Sequence, residues 1–251
     1  MNTTVLSISK NKILSFLWQH LLLLFSLNLM TIGVVLCVKS NLGSSVISSL
    51  PFVMSLAGEA GMAPALTIGD YTIIMNVVLV ACQIAVLRRR FEWVQLFQLA
   101  IGFFFGLLID MNMLIFGDLT CDTLLSQTAA QIAGCTIMGL GIAMEVKCGS
   151  VTMPGEGISI AISRVVNRPF AKVKIYVDTM LVLLAVSCSF LFFGEWQWNV
   201  IGIGTMIAMV YVGLVVKLIS PRLSRFERLL CYTPGFRRHI YGLLRFIRHR
   251  D

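Results

Sequence analysis

One carboxylate in this chain sits where chemistry is to be expected. Glu156 lies in Met153-Pro154-Gly155-Glu156-Gly157, bracketed by two glycines directly after a proline, and long apolar runs flank the stretch on both sides. A carboxylate among apolar segments suits binding of a cation, a proton or an amine, because ionisable groups at membrane depth are costly to keep without a function. The competing reading makes Glu156 a cap for a short helix that follows Gly157. Asp178 and Asn76 form a second tier, each within about one turn of the start of a long apolar run. They suit a shared buried polar layer, or, for Asp178, an interfacial acid paired with Lys174 or Lys172. Gln98 and Thr205 lie inside apolar runs, where a helix-to-helix hydrogen bond competes with ligand contact. The candidate substrate-binding set is therefore Glu156, Gly155, Gly157, Asp178, Asn76 and Thr205. Asp110, Glu145 and Lys147 read as interfacial charges.

Other chemistries find no support in the sequence. The seven cysteines are scattered without CxxC spacing and fall mostly in or beside apolar runs, where they read as small buried side chains. The three histidines, His20, His239 and His249, are far apart in sequence. No metal site, cofactor or nucleophile–base pair is expected, so the chain does not read as an enzyme, although Glu156 and Asp178 have the chemistry for acid–base work. The net charge of +8 comes mostly from Lys and Arg between apolar runs or in the tail. Membrane topology accounts for that placement, and no nucleic-acid partner is expected.

The elements that must position these residues are membrane spans. Of 251 residues, 57% are hydrophobic and 13% charged, against about 25% charged in a soluble domain. Uncharged runs of about 20 residues cross about 30 Å of hydrocarbon as helices, and they are too continuous for barrel strands. The expected fold is an all-α polytopic bundle of six spans. A cytoplasmic leader covers 1–12, spans one to three lie within 13–116, spans four to six within 124–219, and a basic cytoplasmic tail covers 220–251. The spans themselves are expected at 13–38, 71–87, 94–116, 124–144, 174–193 and 200–219. The first is read as a retained helix and not a cleaved signal, being too long for an h-region. Gly102 and Gly106 form a GxxxG that permits close helix approach. Basic residues before span one, after spans two and four and in the tail place both termini in the cytoplasm. The tail suits anionic lipid headgroups, with an amphipathic helix over 236–247.

The halves of the chain also correspond. GVVLCVKSNLGS from Gly33 to Ser44 aligns with GLGIAMEVKCGS from Gly139 to Ser150, pairing Gly33 with Gly139 and Gly43 with Gly149. Asn76 then falls opposite Asp178, Gln98 opposite Thr205, and Gly106 opposite Gly213. Each half runs span, broken segment, span, span, the broken segments being Asn41 to Met54 and the stretch around Glu156. An odd number of spans per half inverts the second half relative to the first, an arrangement many transporters use. Irregular backbone at membrane depth must line a cavity or be buried in protein, so the two broken segments are expected to converge, with the substrate site between them.

Met153-Pro154-Gly155-Glu156-Gly157, Ala161-Ile162-Ser163, Phe170 with Lys172-Val173-Lys174, Asp178, Gly204-Thr205 and Gly213 together resemble the YczE/YyaS/YitT-like bacterial integral membrane proteins, in a branch with an MPGEG motif. The resemblance implies a bacterial inner-membrane location and no particular activity. It covers Gly33 to Lys217; the soluble C-terminal domain of YitT-type members has no counterpart in the basic tail. The function expected is transport of a small molecule or ion. The alternative is a non-transporting scaffold, sensor or accessory protein of another complex. Substrate and oligomeric state are left open.

Overall fold

The computed structural model describes residues 2–148 and 152–223, and the side chains among them except those of 2–18 and 171. The expectations for Gly149, Ser150 and most of the tail, including its amphipathic helix, lie outside these residues.

Among the described residues there are eight α-helices and no strand: α1 (Asn2–Lys39), α2 (Val46–Glu59), α3 (Ile68–Leu87), α4 (Phe97–Ile115), α5 (Leu124–Cys148), α6 (Pro154–Val166), α7 (Phe170–Phe193) and α8 (Ile203–Ile219). Six of them, all but α2 and α6, are long and apolar enough to cross a membrane. The order is long, short, long, long in each half. Helix α1 already starts at Asn2, so the polar leader is continuous with the first span. Span four runs to Cys148 and span five begins at Phe170, each longer than its apolar core alone indicates. Span three is entered through two short 3₁₀ turns, Arg88–Arg90 and Trp93–Leu96, and becomes α-helical only at Phe97.

Local chemistry explains why the short helices form. Ser45 caps α2, its hydroxyl accepting from the Ser48 amide, while Ser48 and Ser49 are buried and return their own hydroxyl hydrogens to the carbonyls of Ser45 and Val46. Polar side chains that satisfy themselves locally can sit among apolar neighbours without cost in unmet hydrogen bonds. The turn into α2 needs Gly43, at φ 129°, where a side chain would also run into the Thr205 hydroxyl and the amides of Gly202 and Thr205. Asn41 shares that turn at φ 56°. Asp110 of α4 receives hydrogen bonds from the Thr67 hydroxyl and the Gly69 amide, so it caps the start of α3.

Helix α1 packs along α5, and this central pair is flanked by α4 on the α1 side and α8 on the α5 side. Gly33 and Gly134 meet face to face: a Cβ on Gly33 would lie 2.5 Å from the Gly134 carbonyl oxygen. The core here joins Leu27, Met30 and Val34 of α1 to Phe105 and Ile109 of α4 and Met138 of α5. Each short helix packs against both α3 and α7, so α2 and α6 bridge the same two long helices. The resulting contact pattern is nearly unchanged when the halves are exchanged, with one exception. Helices α3 and α4 pack tightly through Gly102 and Gly106, whereas α7 and α8 form no comparable interface. Gly213, opposite Gly106 in the alignment, faces open space. The halves therefore correspond in topology and differ in closure. Large apolar side chains such as Ile74, Leu107, Met180, Leu184 and Leu214 are exposed around the bundle, as suits a hydrocarbon solvent.

Candidate functional site

Helix α6 begins at Pro154, whose missing N–H falls among amides that a helix start leaves unpaired in any case. The helix therefore starts two residues before Glu156, which sits in its first turn; a cap for a helix beginning after Gly157 is not what forms. The amides of Glu156 and Gly157 both donate to the Met153 carbonyl. At the far end Asn167 takes the left-handed conformation at φ 52°, and the Ser163 hydroxyl donates to the Arg168 carbonyl at 2.6 Å. That turn gives α6 its abrupt stop and returns the chain into α7.

The three residues Gly155, Glu156 and Gly157 face three different neighbours. Gly155 looks toward α2: a methyl there would lie 3.2 Å from Ile47 Cδ1. Ile47 and Leu50 of α2 pack on the apolar cluster that contains Ile158 of α6, Met75 and Leu79 of α3 and Leu181 of α7. The two short helices thus meet through an apolar contact. Gly157 looks toward α3 and α4. A methyl on it would lie 2.5 Å from Gln98 Oε1 and 2.8 Å from Gln83 Oε1. With any larger residue there, these two buried amides would have to shift. Gln83 Nε2 uses that proximity, donating to Gln98 Oε1 at 2.9 Å and to the Pro154 carbonyl at 3.1 Å.

Glu156 is half-buried and interacts electrostatically with Lys174 and Asp178 of α7 and with Glu145 of α5. Lys174 Nζ donates to Asp178 Oδ1 at 2.6 Å, one helical turn apart, with the two side chains only 24% and 16% exposed. Glu145 is 3% exposed. Its Oε1 accepts the Met153 amide at 3.1 Å, and its Oε2 has no partner. Its sequence position, near the end of a span beside Lys147, reads as interfacial. The fold instead buries it, because α6 starts directly against it. Glu156 thus stands in the field of two further carboxylates and one ammonium. A cationic solute or a proton is the complement of that charge set.

The remaining sequence candidates lie elsewhere. Asn76 is buried in the α3–α4 contact beneath Gly102, with Nδ2 3.4 Å from the Gly102 carbonyl and Oδ1 unpartnered. Thr205 lies in the first turn of α8, where its hydroxyl donates to the Val200 carbonyl at 3.1 Å and packs on Gly43. Near it, Gln131 of α5 donates to the Gly204 carbonyl and accepts from Ser40, and the Gly204 amide donates to the Leu42 carbonyl. So Glu156 and Asp178 come together, Gly155 and Gly157 lie where α6 meets its neighbours, and Asn76 and Thr205 lie in other helix contacts. Glu145, Gln83, Gln98 and Lys174 are additional polar groups at α6. The signal for Gln83 was available: an amide in the middle of an apolar run must find a partner. Nothing local distinguished Glu145 from an interfacial acid.

Comparison with known proteins gives a family and no activity. A family model described as "Family of unknown function (DUF6198)" matches residues 17–221. The chain belongs to this family. It is also similar to "Uncharacterized protein YyaS" of Bacillus subtilis (strain 168), at 23% identity over 198 residues, covering 78% of this chain and 90% of the relative. No solved structure matches the chain. The match to DUF6198 spans α2 to α8 entire and with them every residue of the cluster at α6. The relative bears out the YyaS-like resemblance seen in the sequence.

Proposed function

We propose that this DUF6198 member is a membrane transporter of a small cationic solute or ion, with its site on the flank of α6 that carries Glu156. The observation that carries this reading is the position of Glu156. It stands half-buried in the first turn of a helix too short to cross the bilayer, within the field of Glu145, Lys174 and Asp178. Short helices that end inside a bundle are how many transporters bring a site to mid-membrane. The matching order of elements, and two short helices that bridge the same long pair, support an inverted repeat of three spans. Odd spans per half and the distribution of basic residues support both termini in the cytoplasm of a bacterial inner membrane. The site lies beside the α2–α6 contact rather than in it, since Ile47 and Leu50 make that contact apolar.

The test is flux. Purified protein in liposomes, offered a panel of monovalent cations, amines and cationic metabolites, is expected to move at least one of them. Glu156→Gln, which removes the charge and keeps the shape, is expected to lower that flux at least tenfold. Flux unchanged in Glu156→Gln removes this site. No flux across the panel, together with a stoichiometric partner on purification from native membranes, establishes the accessory-protein reading instead.

A further inference from the structure

We infer that Glu145 and Glu156 together hold an exchangeable proton, with Glu145 Oε2 as the atom that carries it. The inference deepens the transport reading above by naming the ion that the α6 site exchanges.

Geometry supplies the argument. Glu145 is 3% exposed, and one carboxyl oxygen is committed: Oε1 accepts the Met153 amide at 3.1 Å. The other, Oε2, is buried with no hydrogen-bond partner. A buried, unpaired carboxylate charge costs far more than the neutral acid, whose unpartnered O–H is only a polar group. The second carboxylate is at hand. Met153, which holds Glu145 through its amide, holds the Glu156 amide through its carbonyl at 3.1 Å, so both acids attach to the same first turn of α6. Their charges interact, and two like charges so placed cannot both be ionised without cost.

From α7, Lys174 and Asp178 face Glu156, and those two pair with each other. From α3 and α4 come the neutral amides Gln83 and Gln98, and Cys148 lies near Glu145 on α5. A metal ion is the poorer occupant. Among the described residues no group of three or more His, Cys, Asp or Glu is placed to hold one, and hard cations take six or more oxygen ligands. A proton requires a single oxygen.

Glu145 also has a purely structural alternative, as the acceptor that anchors the start of α6. The experiment must separate the two roles without relying on transport. The purified full chain in detergent is treated with dicyclohexylcarbodiimide, an apolar reagent that reacts with protonated carboxyl groups in apolar surroundings, and adducts are mapped by peptide mass spectrometry across pH 5 to 9. The expected result is an adduct on Glu145 whose yield falls as pH rises. In Glu156→Gln the yield is expected to fall off at lower pH, because the neighbouring negative charge that favours the protonated form is gone. No Glu145 adduct at any pH, or a pH profile identical in Glu156→Gln, overturns the inference. Labelling does not depend on flux, so a failed transport assay bears on the transport reading alone. Infrared difference spectra between pH 5 and 9 provide the check that needs no reagent. The loss of a protonated-carboxyl C=O band in Glu145→Gln supports the assignment, and its persistence unchanged overturns it.

Discussion

At the residue scale, the MPGEG segment is three decisions in consecutive positions. Pro154 starts the helix, Glu156 enters the charged cluster, and the two glycines let neighbours close on either side. Gly157 is the more demanding of the two. A methyl there would press on Gln98 and Gln83, both buried and hydrogen-bonded to each other, whereas at Gly155 it would meet only the end of Ile47 at 3.2 Å. Gly157→Ala is therefore expected to destabilise the protein by about 1–3 kcal/mol, the usual range for overpacking, and Gly155→Ala by less. Thermal unfolding of the two variants in the same detergent checks the order. Equal midpoints would mean that the glutamines have room to yield. Gln83→Leu removes the donor to both Gln98 and the Pro154 carbonyl. It is expected to cost roughly 1 kcal/mol, close to what such bonds contribute in membrane proteins, and faster amide hydrogen exchange in the first turn of α6 reports it.

At the element scale, the fold depends on close approach between pairs of long helices and on two short ones placed between them. The α1–α5 pair is the largest such approach, and it rests on backbones brought together at Gly33, Gly134 and Gly141, where small residues replace the hydrophobic driving force that lipid does not supply. Gly134→Leu puts a branched chain against Gly33 and Cys37. It is expected to abolish the folded, monodisperse peak in size-exclusion chromatography, while the same change at Gly213, which faces open space, leaves the peak in place. How much of these elements the sequence made legible differs by element. The six spans were, because crossing hydrocarbon demands uninterrupted apolar length. The short helices were visible as interruptions, and the buried serines of α2 pointed to packing. The start of α6 was less so: whether Pro154 or Gly157 begins the helix depends on which amides find acceptors, and that is decided by the Met153 carbonyl.

At the scale of the whole molecule, α2 and α6 bridging α3 and α7 give the chain a near-symmetric plan, broken where α7 and α8 fail to close as α3 and α4 do. The orientation implied by this plan is testable. Single cysteines in a cysteine-free background at positions 89 and 168 are expected to react with an impermeant maleimide only from the cytoplasmic side, and one at position 118 only from the opposite side. Positions 89 and 168 labelling from opposite sides would overturn the inverted arrangement.

The sequence by itself determined that this is a helical membrane protein of six apolar helices with two short interruptions. Hydrophobic length and charge placement are properties of the chain that no packing can change. It also singled out Glu156, since a carboxylate in such surroundings is conspicuous. Only the tertiary structure decided what Glu156 is near. Asp178 and Lys174 join it because α6 packs on α7; Asn76 does not, because α3 turns that face toward Gly102. Glu145 becomes a buried acid only because the start of α6 folds against it, through one amide hydrogen bond from Met153. Burial and proximity between distant segments arise from packing, and the pattern of a single helix does not contain them.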